Sequence, residues 1–207
     1  MTETTIELIN DLISKSKKKG ADFVDAVSFY SSDTNSSVRN GKLETVEKSE
    51  SRGFGLRVIF GKRKAIVSST DITQETLDNL VQRAVDMAKS SPEDPFVGIA
   101  DKSLLAKDVV ELDLFEEKEY SAEFLQDLAF KTESAGLSVK GITNSEGANA
   151  SCGKSSVAIA TSNGFAKEYK SSYSSLSLSL IAGQGTAMER DYDYSIACHL
   201  GDLKEAQ

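Results

Sequence analysis

The stretch Ser175-Leu176-Ser177-Leu178-Ser179-Leu180 alternates serine and leucine without a break. A period of two sends successive side chains to opposite faces, so this segment is a half-buried antiparallel strand with one apolar and one hydroxylated face. Other strand-forming stretches surround it. Residues 23–30 are β-rich, and 36–39 and 42–50 flank Asn40-Gly41, the strongest two-residue hairpin signal in the chain. Segments 53–60 and 63–69 flank a second tight turn at Gly61-Lys62, and four more strands are expected at 138–151, 155–161, 165–182 and 186–197.

Helical spacing occurs in separate places. Residues 5–19 carry Ile6, Ile9 and Ile13 on one stripe, with Gly20 placed as the C-terminal cap. Residues 73–89 give the clearest pattern, with Leu77, Leu80, Val81, Ala84, Val85 and Ala88 on one face, Thr73 as N-cap, and Pro92 and Pro95 barring extension. A third helix is expected over 121–135, ending at Gly136, and a short fourth over 102–107. The class is α+β, with helices packed on mainly antiparallel sheets. Each half repeats the order of a helix and then a meander. The expected organisation is an N-terminal subdomain at 1–91, a connector at 92–118 and a second α+β subdomain at 119–207.

Composition narrows the function. Basic residues number 24 against 32 acidic ones, a net charge of −8. Nucleic-acid binding relies on cations that displace phosphate counterions, so a direct nucleic-acid partner is not expected. The one basic run, Lys15 with Lys17-Lys18-Lys19, suits the negative end of a helix dipole. No apolar stretch approaches the roughly 18 residues that span a bilayer, so no membrane partner is expected. The polar start Met1-Thr2-Glu3-Thr4-Thr5 is unlike a signal peptide, which makes the cytoplasm the expected location. Two cysteines, Cys152 and Cys198, are too few for a disulfide framework.

Catalytic signals are missing. His199 is the single histidine, and a zinc-protease helix needs two at i and i+4 or a similar spacing. Cys198 adjoins His199, but strand neighbours point to opposite faces. Residues 148–155 fit a loose phosphate-loop pattern, yet a strand rather than a helix follows, so a hairpin turn is expected there. Glu189, Asp191 and Asp193 alternate with Arg190, Tyr192 and Tyr194, which puts three carboxylates on one strand face. Such a row suits a hard cation, a basic peptide or plain solvent.

Several strings occur together: Ile142-Thr143-Asn144-Ser145-Glu146-Gly147, Ala160-Thr161-Ser162-Asn163-Gly164-Phe165, Ile181-Ala182-Gly183, and Met188-Glu189-Arg190-Asp191-Tyr192-Asp193-Tyr194-Ser195. Upstream, Arg39-Asn40-Gly41-Lys42-Leu43-Glu44 and Gly53-Phe54-Gly55-Leu56-Arg57-Val58 fit the same pattern. The whole resembles the TldD/TldE family, long called modulators of DNA gyrase, and is most similar to its TldE (PmbA) branch. The resemblance implies a heterodimer that trims or degrades unfolded peptides, with zinc held by two histidines and a glutamate in the TldD-type subunit. The TldE-type subunit lacks that motif, and the gyrase label reflects an indirect effect. Family members continue into a second, mostly β domain, so residues 119–207 are expected to stop short of it.

The expected role is therefore a non-catalytic partner of a zinc-bearing TldD-type catalytic subunit, enclosing unfolded peptide substrates. No catalytic or metal-binding residue is assigned here, and no cofactor is expected in this chain. The candidate substrate-binding residues are Asn144, Ser145, Glu146 and Gly147, taken as a turn, and Glu189, Arg190, Asp191 and Tyr192 on a strand. Exposed strand edges suit an extended peptide that adds as a further strand. The alternatives are a self-sufficient peptidase using the carboxylate row with a metal, and an orphan peptide-binding module.

Overall fold

The computed structural model describes residues 5–108 and 110–204; the polar N-terminal residues 1–4, read above against a signal peptide, lie outside them. Three helices, α1 (Thr5–Lys18), α2 (Gln74–Ser90) and α3 (Ala122–Leu137), accompany six strands. The strands are β1 (Phe23–Arg39), β2 (Lys42–Phe60), β3 (Arg63–Ser69), β4 (Ile142–Thr161), β5 (Ala166–Ala182) and β6 (Glu189–Ala197). They form one antiparallel sheet in the order β3-β2-β1-β4-β5-β6, and the class is α+β as expected.

The helix ends follow local chemistry. α1 closes in a Schellman motif: Gly20 N–H donates to Lys17 O at 2.9 Å and Ala21 N–H to Ser16 O at 3.2 Å. Gly20 sits at φ +93, where a Cβ would be strained. Thr73 caps α2 by accepting from Thr76 N–H, and Ser121 caps α3 by accepting from Phe124 N–H. α3 runs one residue past Gly136, which lies buried against β5 instead of capping the helix.

The strands are longer than the sequence suggested. The expected breaks at 31–35, 51–52 and 152–154 fall inside β1, β2 and β4. Serine and glycine lower strand propensity, but cross-strand pairing, on both sides for β1 and β4, supplies what the side chains do not. The phosphate-loop-like residues 148–155 are thus neither loop nor hairpin turn but continuous strand. The Asn144–Gly147 turn is likewise absent as a turn, because those residues belong to β4. Burial slips by one residue there: Glu146 is exposed, Gly147 and Ala148 are both buried, and Asn149 is exposed. That slip, with Gly147 at φ +124, is the mark of a β-bulge. The fourth helix shrinks to a single 3-10 turn, Lys102–Leu104, and β6 begins at Glu189 after another such turn.

The chain divides into two compact units, each built from three stretches. The first comprises residues 1–30, 51–112 and 156–169, with a core in which Ile9 and Leu12 of α1 and Leu80 and Val81 of α2 meet Leu56 and Val58 of β2. The second comprises residues 31–50, 113–155 and 170–207, with Leu125 and Ala129 of α3 packed on Val38, Ala148, Ala150 and Leu176.

Candidate functional site

All eight candidate residues lie in the second unit. On β4, Asn144 Oδ1 accepts from Ser145 N–H at 2.9 Å, and the fully buried Ser145 hydroxyl accepts from Gly147 N–H at 3.0 Å. Ser145 and Gly147 thereby shape the bulge, and a Cβ on Gly147 would come 3.1 Å from Val38 O. The bulge keeps Glu146 outward.

Glu146 and Arg190 meet. Their carboxylate and guanidinium form an ion pair, while Ser179 Oγ donates to Glu146 Oε2 at 3.0 Å and accepts from Arg190 Nε at 3.1 Å. This three-residue cluster borders a surface cavity of about 410 Å³ lined also by Arg39, Asn149 and Tyr192. Tyr192 is 66% exposed, an aromatic surface held open to solvent. Sequence reasoning missed Ser179, whose only signal was its place on the hydroxylated face of β5.

The β6 candidates divide between two faces. Register pairs Glu189 with Ala182, Asp191 with Leu180 and Asp193 with Leu178, so the carboxylates stand on the leucine side. Arg190 pairs with Ile181 and Tyr192 with Ser179 on the opposite side. Asp191 and Asp193 each bend to accept the next residue's N–H, Tyr192 at 2.9 Å and Tyr194 at 2.8 Å. These bonds occupy edge donors that an added strand would need, a common protection of an edge strand.

A second polar cluster lies where the segment after residue 112 crosses the unit. Glu116 accepts from Leu200 N–H at 2.9 Å and from the Tyr120 hydroxyl at 2.7 Å. Burial alone would raise its carboxyl, but those two bonds outweigh it and hold the group below the usual carboxylate range. Burial together with Glu116 pushes the Tyr120 phenol up to about 12. Burial likewise raises the Cys152 thiol, despite its contact with Ser174. His199 Nε2 lies 3.1 Å from Asp113 O and 3.2 Å from Asp113 Oδ1. That carbonyl contact, with the nearby carboxylates, raises the imidazole above its ordinary value. His199 therefore anchors a loop and addresses no nucleophile.

The donor set does not fit a zinc centre. Among the described residues no three His, Cys, Asp or Glu side chains converge to hold a metal ion. The row Glu189, Asp191 and Asp193 fails because its members are spread along an edge, and two of them are turned to backbone N–H groups.

Comparison with known proteins agrees with this architecture. Residues 24–88 match the model of PmbA/TldA metallopeptidase domain 1, and residues 115–206 match that of the PmbA/TldA metallopeptidase central domain. The chain belongs to the PmbA/TldD metallopeptidase family. It is 38% identical over 169 residues to the metalloprotease PmbA of Escherichia coli O157:H7, covering 81% of this chain and 38% of that protein. A PmbA homologue from Haemophilus influenzae is 32% identical over 81% of this chain and 38% of its own length. The chain thus spans well under half of the curated PmbA relatives it matches. Solved structures share the fold: a modulator-of-DNA-gyrase protein from Bacteroides thetaiotaomicron superposes with a TM-score of 0.87 at 21% identity, over 97% of this chain and 47% of that one. TldE from Thermococcus kodakarensis gives 0.82 at 18% identity, over 95% and 44%. No helix among the described residues is long and apolar enough to cross a membrane.

Proposed function

We propose that this PmbA/TldD chain is the N-terminal portion of a non-catalytic, TldE-type subunit working in the cytoplasm. It presents unfolded peptide to a zinc-bearing TldD-type partner. The observation that supports this most is the Glu146–Ser179–Arg190 cluster beside Arg39, Asn149 and Tyr192. A fixed carboxylate, a guanidinium and hydroxyl and amide groups offer both signs of charge and both hydrogen-bond senses to an extended main chain. Tyr192 adds a surface for apolar side chains. Asn144 and Ser145 take part by holding Glu146 outward rather than by contact, whereas Gly147 both shapes the bulge and lines the cavity.

The peptide lies across this face. Addition along β6 is opposed by the Asp191 and Asp193 bonds to its edge donors, whereas residues 42–50 of β2 are exposed and unpaired by β3, whose register begins at Phe54. The test is a titration of a fluorescent, permanently unfolded peptide into the chain and into Arg190→Ala and Tyr192→Ala. Weaker binding by both variants at unchanged thermal stability supports the reading; unchanged binding by both refutes it.

A further inference from the structure

The first unit buries two helices, α1 and α2, in its core; the second buries only α3. Beside α3 a trough remains. Its floor is Leu176, Leu178, Leu180 and Ala182 of β5; Leu176 is buried and the other three are half-buried. One wall is the short side chains of Thr132, Ala135 and Gly136 on α3. The other rim is the carboxylate row of β6; Lys204 and Arg190 also line the two cavities, Arg190 already paired with Glu146, so three carboxylates outnumber the one remaining cation. Two adjoining cavities of about 610 and 460 Å³ make up the trough and share Leu178 and Asp193.

We infer that this trough is a docking site for an amphipathic helix of a partner chain, with an apolar stripe flanked by lysine or arginine at i, i+4 and i+8. Charge complementarity selects the flank. Glu189, Asp191 and Asp193 project on the leucine side at alternate strand positions, about 6.7 Å apart. Residues four apart on a helix rise about 6 Å, so three cations meet three carboxylates with a total mismatch of about 1.5 Å, within the reach of a flexible lysine. Asp191 and Asp193 use only Oδ1 on the edge N–H groups, leaving Oδ2 for a cation. The short-chain wall and the floor length suit a helix. The short wall of α3 leaves room for a second helix at the usual 8–10 Å axis spacing. The floor from Leu176 to Ala182 is about 20 Å long, or about 13 helical residues. A second copy does not supply the occupant, because the apolar stripes of α1, α2 and α3 are already buried in their own cores.

The test titrates the chain with two fluorescein-labelled synthetic peptides of about 16 residues. Both carry the same leucine stripe at i, i+3, i+4 and i+7; one has lysine flanks and the other glutamate flanks. The lysine peptide should bind at least about tenfold more tightly, gain helical circular dichroism on binding, and shift the methyl resonances of Leu178 and Leu180. Asp191→Lys should weaken it by about tenfold and strengthen the glutamate peptide, a swap that simple unfolding cannot produce. Asn149→Ala, which lines the cavity of the proposed substrate face and neither cavity of the trough, should leave it unchanged, which separates the two sites. No saturable binding by about 100 μM, equal affinity for both peptides, or binding without helix formation would overturn the proposal.

Discussion

Glu133 is 1% exposed, yet its two carboxylate oxygens accept from the backbone N–H groups of Asn40 and Gly41, each at 2.8 Å. Asn40 and Gly41 sit at φ 50 and 69, the left-handed pair of a type I′ turn, so α3 clamps the β1–β2 hairpin at its tip. A hydrogen bond to a charged group contributes roughly 1.5–3 kcal/mol. Glu133→Ala removes two of them and leaves a gap beside α3. The tip amides are exposed and regain water, which holds the loss to about 2–4 kcal/mol. Glu133→Gln retains one acceptor but turns an amide donor toward the other N–H, costing about 2 kcal/mol. Urea denaturation gives both values, and hydrogen exchange at Asn40 and Gly41 reads the clamp directly. A loss below about 0.5 kcal/mol for Glu133→Ala, with unchanged exchange at both amides, would refute the reasoning.

Gly183 holds φ +77, and an added Cβ would run into the Ala187 carbonyl oxygen. Gly183→Ala should therefore destabilise the chain by roughly 2–4 kcal/mol in urea melts and disturb β6 first, whereas Gly61→Ala, with open space around it, should cost only about 1 kcal/mol. His199 has a raised folded-state pKa, so its contact with Asp113 stabilises fully below the unfolded value near about 6.5 and fades as pH rises through the folded value. The stability difference between wild type and His199→Gln should shrink from pH 5.5 to pH 8.5 (chosen about one to two units either side of that value), and a constant difference would contradict it. Cys152, half-buried with its thiol pushed up, should react with iodoacetamide more slowly than a solvent-exposed thiol at about pH 8, and mass spectrometry of timed samples checks this.

The helices were legible because their stripes have one period and their ends carry specific chemistry, as Thr73, Ser121 and Gly20 show. Strand continuity was less so. Ser, Asn and Gly at 31–35 and 147–155 read locally as turns, and only pairing on both sides keeps them extended. Gly147 does bend the chain, but as a bulge within β4. At the candidate site, period two already separated the carboxylates of β6 from Arg190 and Tyr192. The partnership of Glu146 with Arg190 was not readable, because it depends on β5 lying between β4 and β6. Strand order is a property of the whole sheet, and no local pattern in either segment encodes it. Glu133 escaped for a similar reason: a glutamate in a helix is ordinarily solvated, and its role depends on where the hairpin tip docks.

The central claim is that this chain serves a zinc-bearing TldD-type subunit and has no peptidase centre of its own. Light-scattering chromatography of the chain mixed with a TldD-type subunit from the same cell tests it most directly, with zinc content and peptide cleavage measured across the peaks. The account predicts one complex at the summed mass, zinc and cleavage tracking the partner, and a chain alone that is metal-free and inactive. Separate elution of the two proteins, or chelator-sensitive cleavage by this chain alone, would contradict it.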